Sequence, residues 1–228
     1  MLALGQGDAL ITGVTRNYNV CMQDIRRIIP DKHNQSIFGM TIMIAKGRTV
    51  FISDTTTHEL PSAEELAHIA VKTAEKARQM GHDPRVAFLS FSTFGNPMRE
   101  KAQRVRDAVI IMDGLEVDFE YDGEMSADVA LNKDLMALYP FSRLSAPANV
   151  LVMPALHSAH ISSKMLQELG DGVTIGPIII GLDKPAQIAQ MNSTVSDILN
   201  LAAIAAIDAI EAKAGKKPAA KSKASGKK

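Results

Sequence analysis

Val86-Ala-Phe-Leu89, Ser90-Phe-Ser-Thr-Phe-Gly-Asn96 and Pro97 decide the fold class. The first four residues read as a short buried strand. The next seven read as a polar loop. Pro97 suits the first position of a helix, whose apolar side is Val105, Ala108, Val109 and Met112. The same alternation extends both ways. Upstream, Ala9 to Gly13 is a short apolar run, and Val20 to Ile29 has helical spacing that stops at Pro30. Ile37 to Ala45 and Thr49 to Ser53 are β-rich runs flanking the turn Lys46-Gly47-Arg48. Ser62 and Glu65 have capping-box spacing for a helix that ends at Gly81. Downstream, Phe119 to Asp122 is strand-like, and Asp122-Gly123-Glu124 reads as its end or as a turn. Val150 to Met153 is a strand stopped by Pro154, a helix follows to Leu169, and Val173 to Ile180 is another strand. Val195 to Ala212 is so rich in Ala, Ile and Leu that it predicts a helix buried on most sides. Repeated strand–helix alternation predicts a three-layer α/β fold.

Composition limits what such a fold can do. The chain has 228 residues, 46% of them hydrophobic, with 25 basic and 25 acidic side chains. That is enough for a real core. A single cysteine, Cys21, rules out an intrachain disulfide framework and a thiolate zinc cage, and reads as core. No apolar run reaches about 18 residues, and Met1 to Ala9 lacks the pattern of a secretion signal, so a cytoplasmic protein without membrane contact is expected. The neutral sum hides two parts. Seven of the basic residues are lysines between Lys213 and Lys228, leaving residues 1–212 with 18 basic against 25 acidic, a charge of −7. The tail 213–228 is low-complexity and is expected to be disordered, solubilising rather than specific for nucleic acid. Residues 1–212 are expected to form one domain.

In open α/β sheets ligands gather at the carboxyl ends of strands. Ser92, Thr93 and Asn96 lie there, able to hold an anionic oxygen or simply to cap the following helix. Thr12, beside Gly13, has the same character. His157, Ser158 and His160 follow the strand ending at Met153. The two histidines share a helical face, but no third ligand is near, so lining a polar cleft or capping is preferred to a metal site. Asp197, after Thr194, suits the first turn of the last helix as a capping group. There is no glycine-rich dinucleotide fingerprint and no phosphate loop.

Five stretches carry a resemblance. They are Gly7 to Gly13, Pro84 to Thr93, Tyr121 to Asp128, Ala148 to Pro154 and Ile175 to Pro185. In order and spacing through residues 4–210 they resemble the phosphate acetyltransferase/butyryltransferase family. His58-Glu-Leu-Pro61, Ser90 to Pro97, Met136-Ala-Leu-Tyr-Pro140 and Pro154 to Ser158 look like the version fused to large bacterial NADP-dependent malic enzymes. The resemblance implies a three-layer α/β/α sandwich of the isocitrate/isopropylmalate dehydrogenase-like type with a mixed sheet. It also implies a ligand cleft lined by Ser92, Thr93, Asn96, His157, Ser158, His160, Gln190, Met191 and Asp197. In active relatives an aspartate helps deprotonate the coenzyme A thiol, and Asp197 falls at that position. A Ser-Arg pair that clamps phosphate falls on Gln190-Met191, and methionine carries no charge. The implied role is therefore a catalytically silent domain that binds acetyl-CoA as an allosteric effector. NADP and a divalent metal would belong to a malic-enzyme domain, and this chain would hold no cofactor. An active phosphate acetyl- or butyryltransferase and a non-enzymatic assembly module are the alternatives. The family also has a further amino-terminal lobe. Only its last helix is expected here, so the chain reads as a fragment or a truncated gene. The last helix is then expected to leave an apolar face open to self-association as a homo-oligomer.

Overall fold

The computed structural model describes residues 1–32 and 36–214. The expected tail lies outside the described residues from Gly215 onward. In chain order the elements are β1 (Leu10–Gly13), α1 (Tyr18–Ile28), β2 (Phe38–Ala45), β3 (Arg48–Ser53), α2 (Ala63–Gln79), β4 (Arg85–Leu89), α3 (Glu100–Asp113) and β5 (Glu120–Met125). Then follow α4 (Ala127–Leu131), α5 (Lys133–Met136), β6 (Val150–Val152), α6 (Leu156–Leu169), β7 (Val173–Ile180), β8 (Ala186–Ala189) and α7 (Val195–Ala214). The chain divides into two compact units. One is Pro30–Asp183, and the other joins Met1–Ile29 to the part from Lys184 onward.

The larger unit holds a six-stranded mixed sheet of order β5-β4-β6-β3-β2-β7. β5, β4, β6 and β3 run parallel, whereas β2 is antiparallel to both β3 and β7. The steps from β3 to β4 and from β4 to β5 go the same way along the sheet. Right-handed crossovers therefore put α2 and α3 on one face, and the return from β5 to β6 puts α4 and α5 on the other. Side-chain alternation agrees. Phe51, Val86, Phe88, Val150 and Val152 are buried at mutually paired positions, and Ser53 on the same side accepts a hydrogen bond from Thr73 of α2 at 3.0 Å. Ile52, Ala87, Leu89 and Leu151 form the opposite core with Val129, Ala130, Met136 and Ala159. Local signals set the ends of α2. Ser62 and Glu65 form both halves of the capping box, and Gly81 lies just beyond its last turn at φ +85°.

The smaller unit is built on a two-stranded parallel sheet, β1 with β8, in the register Leu10↔Ala186 to Gly13↔Ala189. α1 and α7 pack on it. Cys21 is buried beside Met22 and Ile25, as its apolar helical setting predicts. α7 is not buried on most sides, and it shows the expected open apolar face. Of its apolar residues only Leu201, Ile204, Ala205 and Ala209 are buried, while Val195, Leu199, Ile207 and Ile210 are exposed. It covers one side of a two-stranded sheet, which is too narrow to bury a helix that is apolar all round. No helix among the described residues is long and apolar enough to cross a membrane.

Two boundaries and one strand differ from the sequence reading. α3 begins at Glu100, so Pro97 is not its first residue and its cap position, Arg99, makes no side-chain cap. β5 continues to Met125, so Asp122-Gly123-Glu124 lies within the strand instead of ending it. β8 was not expected from its four residues, Ala186-Gln-Ile-Ala189.

Two stability effects follow. Ser62→Ala should lower the unfolding free energy by about 1 kcal/mol in urea titration, the ordinary cost of losing such a cap. Acidification should weaken the fold through His68. Burial foremost, then Lys72, holds its imidazole below the ordinary 6.5, and Glu75 only partly opposes this. The unfolded chain then takes up the proton first, so stability is lost as the pH falls below about 6.5. In His68→Gln, urea midpoints measured between pH 7 and 5 should fall less steeply.

Candidate functional site

The loops at the carboxyl ends of β3, β4, β5 and β6 carry the polar residues of the larger unit. After β3, Asp54 is buried and collects donors. Its Oδ1 accepts from the backbone N–H groups of Gly39 at 2.9 Å, Thr56 at 2.8 Å and Thr57 at 3.1 Å. Its Oδ2 accepts from His58 N–H at 2.9 Å, and His58 Nδ1 lies 2.7 Å from the same oxygen. His58 Nε2 is 4.0 Å from Glu65 Oε1. Gly39 must be glycine for this turn to close, because a Cβ there would stand 2.1 Å from Thr56 Oγ1.

After β4, the Ser90–Arg99 loop folds over a second buried carboxylate. Phe88 pairs with Gly123 but Leu89 with Met125, so Glu124 is an extra residue in β5, a bulge that turns its side chain toward the loop. Glu124 is 0% exposed. Its Oε1 accepts from Ser92 Oγ at 2.6 Å and from Gly95 N–H at 2.9 Å, and Arg106 Nη1 approaches at 3.5 Å. Its Oε2 has no partner among the described residues. The Glu124 carbonyl accepts from Phe94 N–H at 2.8 Å, and Thr93 Oγ1 accepts from Ser126 N–H at 3.1 Å. Thr93 and Asn96 exchange backbone hydrogen bonds of 3.0 and 3.1 Å.

After β6, the carbonyl of Pro154 accepts from Arg104 Nη2 at 2.7 Å, and Leu156 N–H donates to Glu59 at 3.2 Å. This joins the start of α6 to α3 and to the loop after β3. Burial pushes the Arg104 guanidinium below its ordinary value.

Ser92, Thr93 and Asn96 thus share one loop, but they cap no helix. Ser92 and Thr93 are tied to the end of β5, with the Ser92 hydroxyl proton committed to Glu124. His157 and His160 are exposed on α6, and Ser158 between them donates to the Ala155 carbonyl at 2.7 Å. Thr12, Gln190, Met191 and Asp197 belong to the smaller unit. There Thr12 pairs with Ile188, Gln190 follows β8, and Met191 is 69% exposed. Thr12 also lines a pocket of about 270 Å³ with Arg16, Cys21 and Asp24. Asp197 closes a cap with Thr194: its Oδ2 accepts from Thr194 N–H and Oγ1, each at 2.8 Å, and its N–H donates to Thr194 Oγ1 at 3.2 Å. Asp54, His58, Arg104, Glu124 and Ser126 escaped the sequence reading. Asp54 carried a usable signal, an acid immediately after a buried strand. Glu124 carried a weaker one, an acid between Gly123 and an apolar residue. Among the described residues no three His, Cys, Asp or Glu side chains gather as a metal site.

Comparison with known proteins agrees with this architecture. An NADP-dependent malic enzyme of Rhizobium meliloti (strain 1021) is 56% identical over 204 residues, covering 90% of this chain and 27% of the relative. The chain therefore spans about a quarter of that protein's length. A phosphate acetyltransferase of Clostridium acetobutylicum is 37% identical over 157 residues, covering 68% of this chain and 47% of the relative. Among solved structures, a phosphotransacetylase from Streptococcus pyogenes superposes with a TM-score of 0.87 at 35% identity, covering 92% of this chain and 65% of the other. The family model described as "Phosphate acetyl/butaryl transferase" matches residues 1–206. With that match over most of its length, the chain belongs to the phosphate acetyl/butaryl transferase family.

Proposed function

We propose that the chain is the phosphate acetyltransferase-like regulatory part of an NADP-dependent malic enzyme, binding acetyl-CoA as an allosteric effector without turning it over. The observation that carries this reading is the contrast between its relatives. Identity to a malic enzyme is 56% across 90% of the chain, against 37% across 68% for a phosphate acetyltransferase. The residues agree with it. Where the family resemblance puts a Ser-Arg pair, this chain has Gln190 and an exposed Met191. A thioether supplies neither the charge nor the two-point fork that an arginine offers phosphate oxygens. Losing an electrostatic contact of that kind typically costs about 10²–10³ in rate. A sensor needs only differential binding: acetyl-CoA must favour one arrangement of the enzyme over another. On this reading Thr93, Asn96, His157, Ser158 and His160 are ligand contacts in the larger unit and Gln190, Met191 and Asp197 in the smaller one, with Ser92 acting through its loop. NADP and the divalent metal belong to the malic-enzyme part, the protein is cytoplasmic, and the exposed face of α7 favours a homo-oligomer.

An active phosphate acyltransferase is the second reading, favoured by Asp197 at the position of the family's aspartate. Calorimetry on the full chain should give saturable acetyl-CoA binding. An assay of acetyl-CoA formation from acetyl phosphate and coenzyme A should stay at background. Turnover that disappears in Asp197→Asn would overturn the sensor reading. If the missing clamp is what silences the site, the double variant Gln190→Ser/Met191→Arg should lift turnover above background.

A further inference from the structure

Ten aromatic side chains serve the whole chain, seven Phe and three Tyr, and three of them meet beside the Ser90–Arg99 loop. The ring centroids of Phe94 and Phe141 are 5.0 Å apart, those of Phe94 and Tyr139 5.4 Å, and those of Tyr139 and Phe141 6.1 Å. Phe38, Phe51 and Phe88 are wholly buried, whereas Phe141 is 66% exposed and Leu138 next to the trio is 70% exposed. Phe94 and Tyr139 pack on the core, so Phe141 is an apolar ring left in water and supported from behind, the mark of a binding surface.

The support is rigid. Phe94 sits at φ +47°, a conformation uncommon for an aromatic residue. Its N–H donates to the Glu124 carbonyl at 2.8 Å, and the next N–H, of Gly95, donates to the buried Glu124 carboxylate at 2.9 Å. On the other side, Ser142 N–H donates to the Tyr139 carbonyl at 2.9 Å. The buried Asp122 carboxylate then accepts from Ser142 Oγ at 2.9 Å and Arg143 N–H at 2.7 Å. Strain that the surroundings over-determine belongs to functional positions.

Cations stand at the other end of the same loop. Arg99 and Lys101 occupy the cap position and first turn of α3, where positive charge opposes the helix dipole. Both are exposed, and neither has an ion-pair partner among the described residues. Arg106, already shared between Glu124 and Gln103, lies against the loop: a Cβ on Gly95 would stand 3.2 Å from its Nη1. An aromatic cluster beside this loop and unpaired cations at its far end, in a body of charge −7, match a purine base carrying phosphates.

We infer that the exposed Phe141 ring, braced edge-to-face by Phe94 and Tyr139, is the stacking platform for the adenine ring, and that Arg99 and Lys101 hold the phosphates, of the nucleotide end of an acyl-CoA. This rests on the acyl-CoA reading above and assigns the half of the ligand remote from the acyl group. The test titrates the full chain with acetyl-CoA, acetyl-pantetheine, which lacks the nucleotide, and 3′-phosphoadenosine 5′-diphosphate, which lacks the pantetheine. Phe141→Ala should weaken acetyl-CoA and the free nucleotide about tenfold, leave acetyl-pantetheine unchanged, and keep the wild-type melting temperature. Phe141→Tyr should retain the affinity. Arg99→Ala/Lys101→Ala should weaken the same two ligands and flatten their salt dependence. Equal acetyl-CoA affinity in wild type and Phe141→Ala would overturn the platform and leave the acyl-CoA reading standing. If acetyl-CoA fails to bind, that reading falls. The platform then stands if the free nucleotide binds with Phe141 sensitivity, and falls if it does not. Dissociation of an oligomer in Phe141→Ala, with ligand affinity unchanged, would assign the patch to a second copy and overturn the proposal.

Discussion

A carboxylate taken out of water must gather donors, and that requirement shapes this molecule where the strands end. Asp54 and Glu124 are buried at the carboxyl ends of β3 and β5; Asp54 is surrounded chiefly by backbone N–H groups, and Glu124 takes one, from Gly95, beside the Ser92 hydroxyl. Backbone donors are fixed to the chain path, so satisfying the acid and fixing the loop are one event. The loop after β3 curls round Asp54 and reaches back to Gly39 in the neighbouring strand. The loop after β4 curls round Glu124 and so is locked to β5.

This has a consequence for binding. A loop that points its N–H groups inward at a protein carboxylate has fewer to offer an incoming anion. Gly95 and Phe94 are spent on Glu124, and the backbones of Thr93 and Asn96 on each other. An anion approaching this loop therefore meets side chains first, the guanidinium and ammonium groups of α3 and the exposed rings, and not a cradle of free amides. Glu124 acts through the loop: its place is beneath the surface, and its bulge position in β5 makes that possible.

The elements were legible where the signal was local. Ser62 and Glu65 are three residues apart, and the structure pairs them as the spacing demands. Val86 to Leu89, Val150 to Val152 and Val173 to Ile180 are apolar runs bounded by loops, and each is a strand. What was hidden depends on residues far apart in the chain. Ser92 and Glu124 are 32 positions apart, and nothing near either announces the other. The bulge at Glu124 shows only in the pairing register with β4. β8 is a strand because β1 lies beside it, and four residues containing a glutamine carry no such instruction. Asp197 is the reverse case, since Thr194 three residues earlier made its capping geometry readable.

The candidate site residues divide in the same way. Position in a loop after a strand identified Ser92 and Thr93, but could not say whether their hydroxyls face a ligand or the protein. Burial decides that. Ser92, fully buried, has its proton on Glu124, so its contribution to any ligand runs through the shape of the loop. Exposure decides the opposite for Phe141 and Arg99. An exposed phenyl ring gains nothing from water, and an unpaired arginine at a helix start works against the helix. Each alone is a small local cost. Phe141 packs against Phe94 of the loop that ends at Arg99, so the two costs share one physical remedy, a ligand that is flat and apolar at one end and anionic at the other.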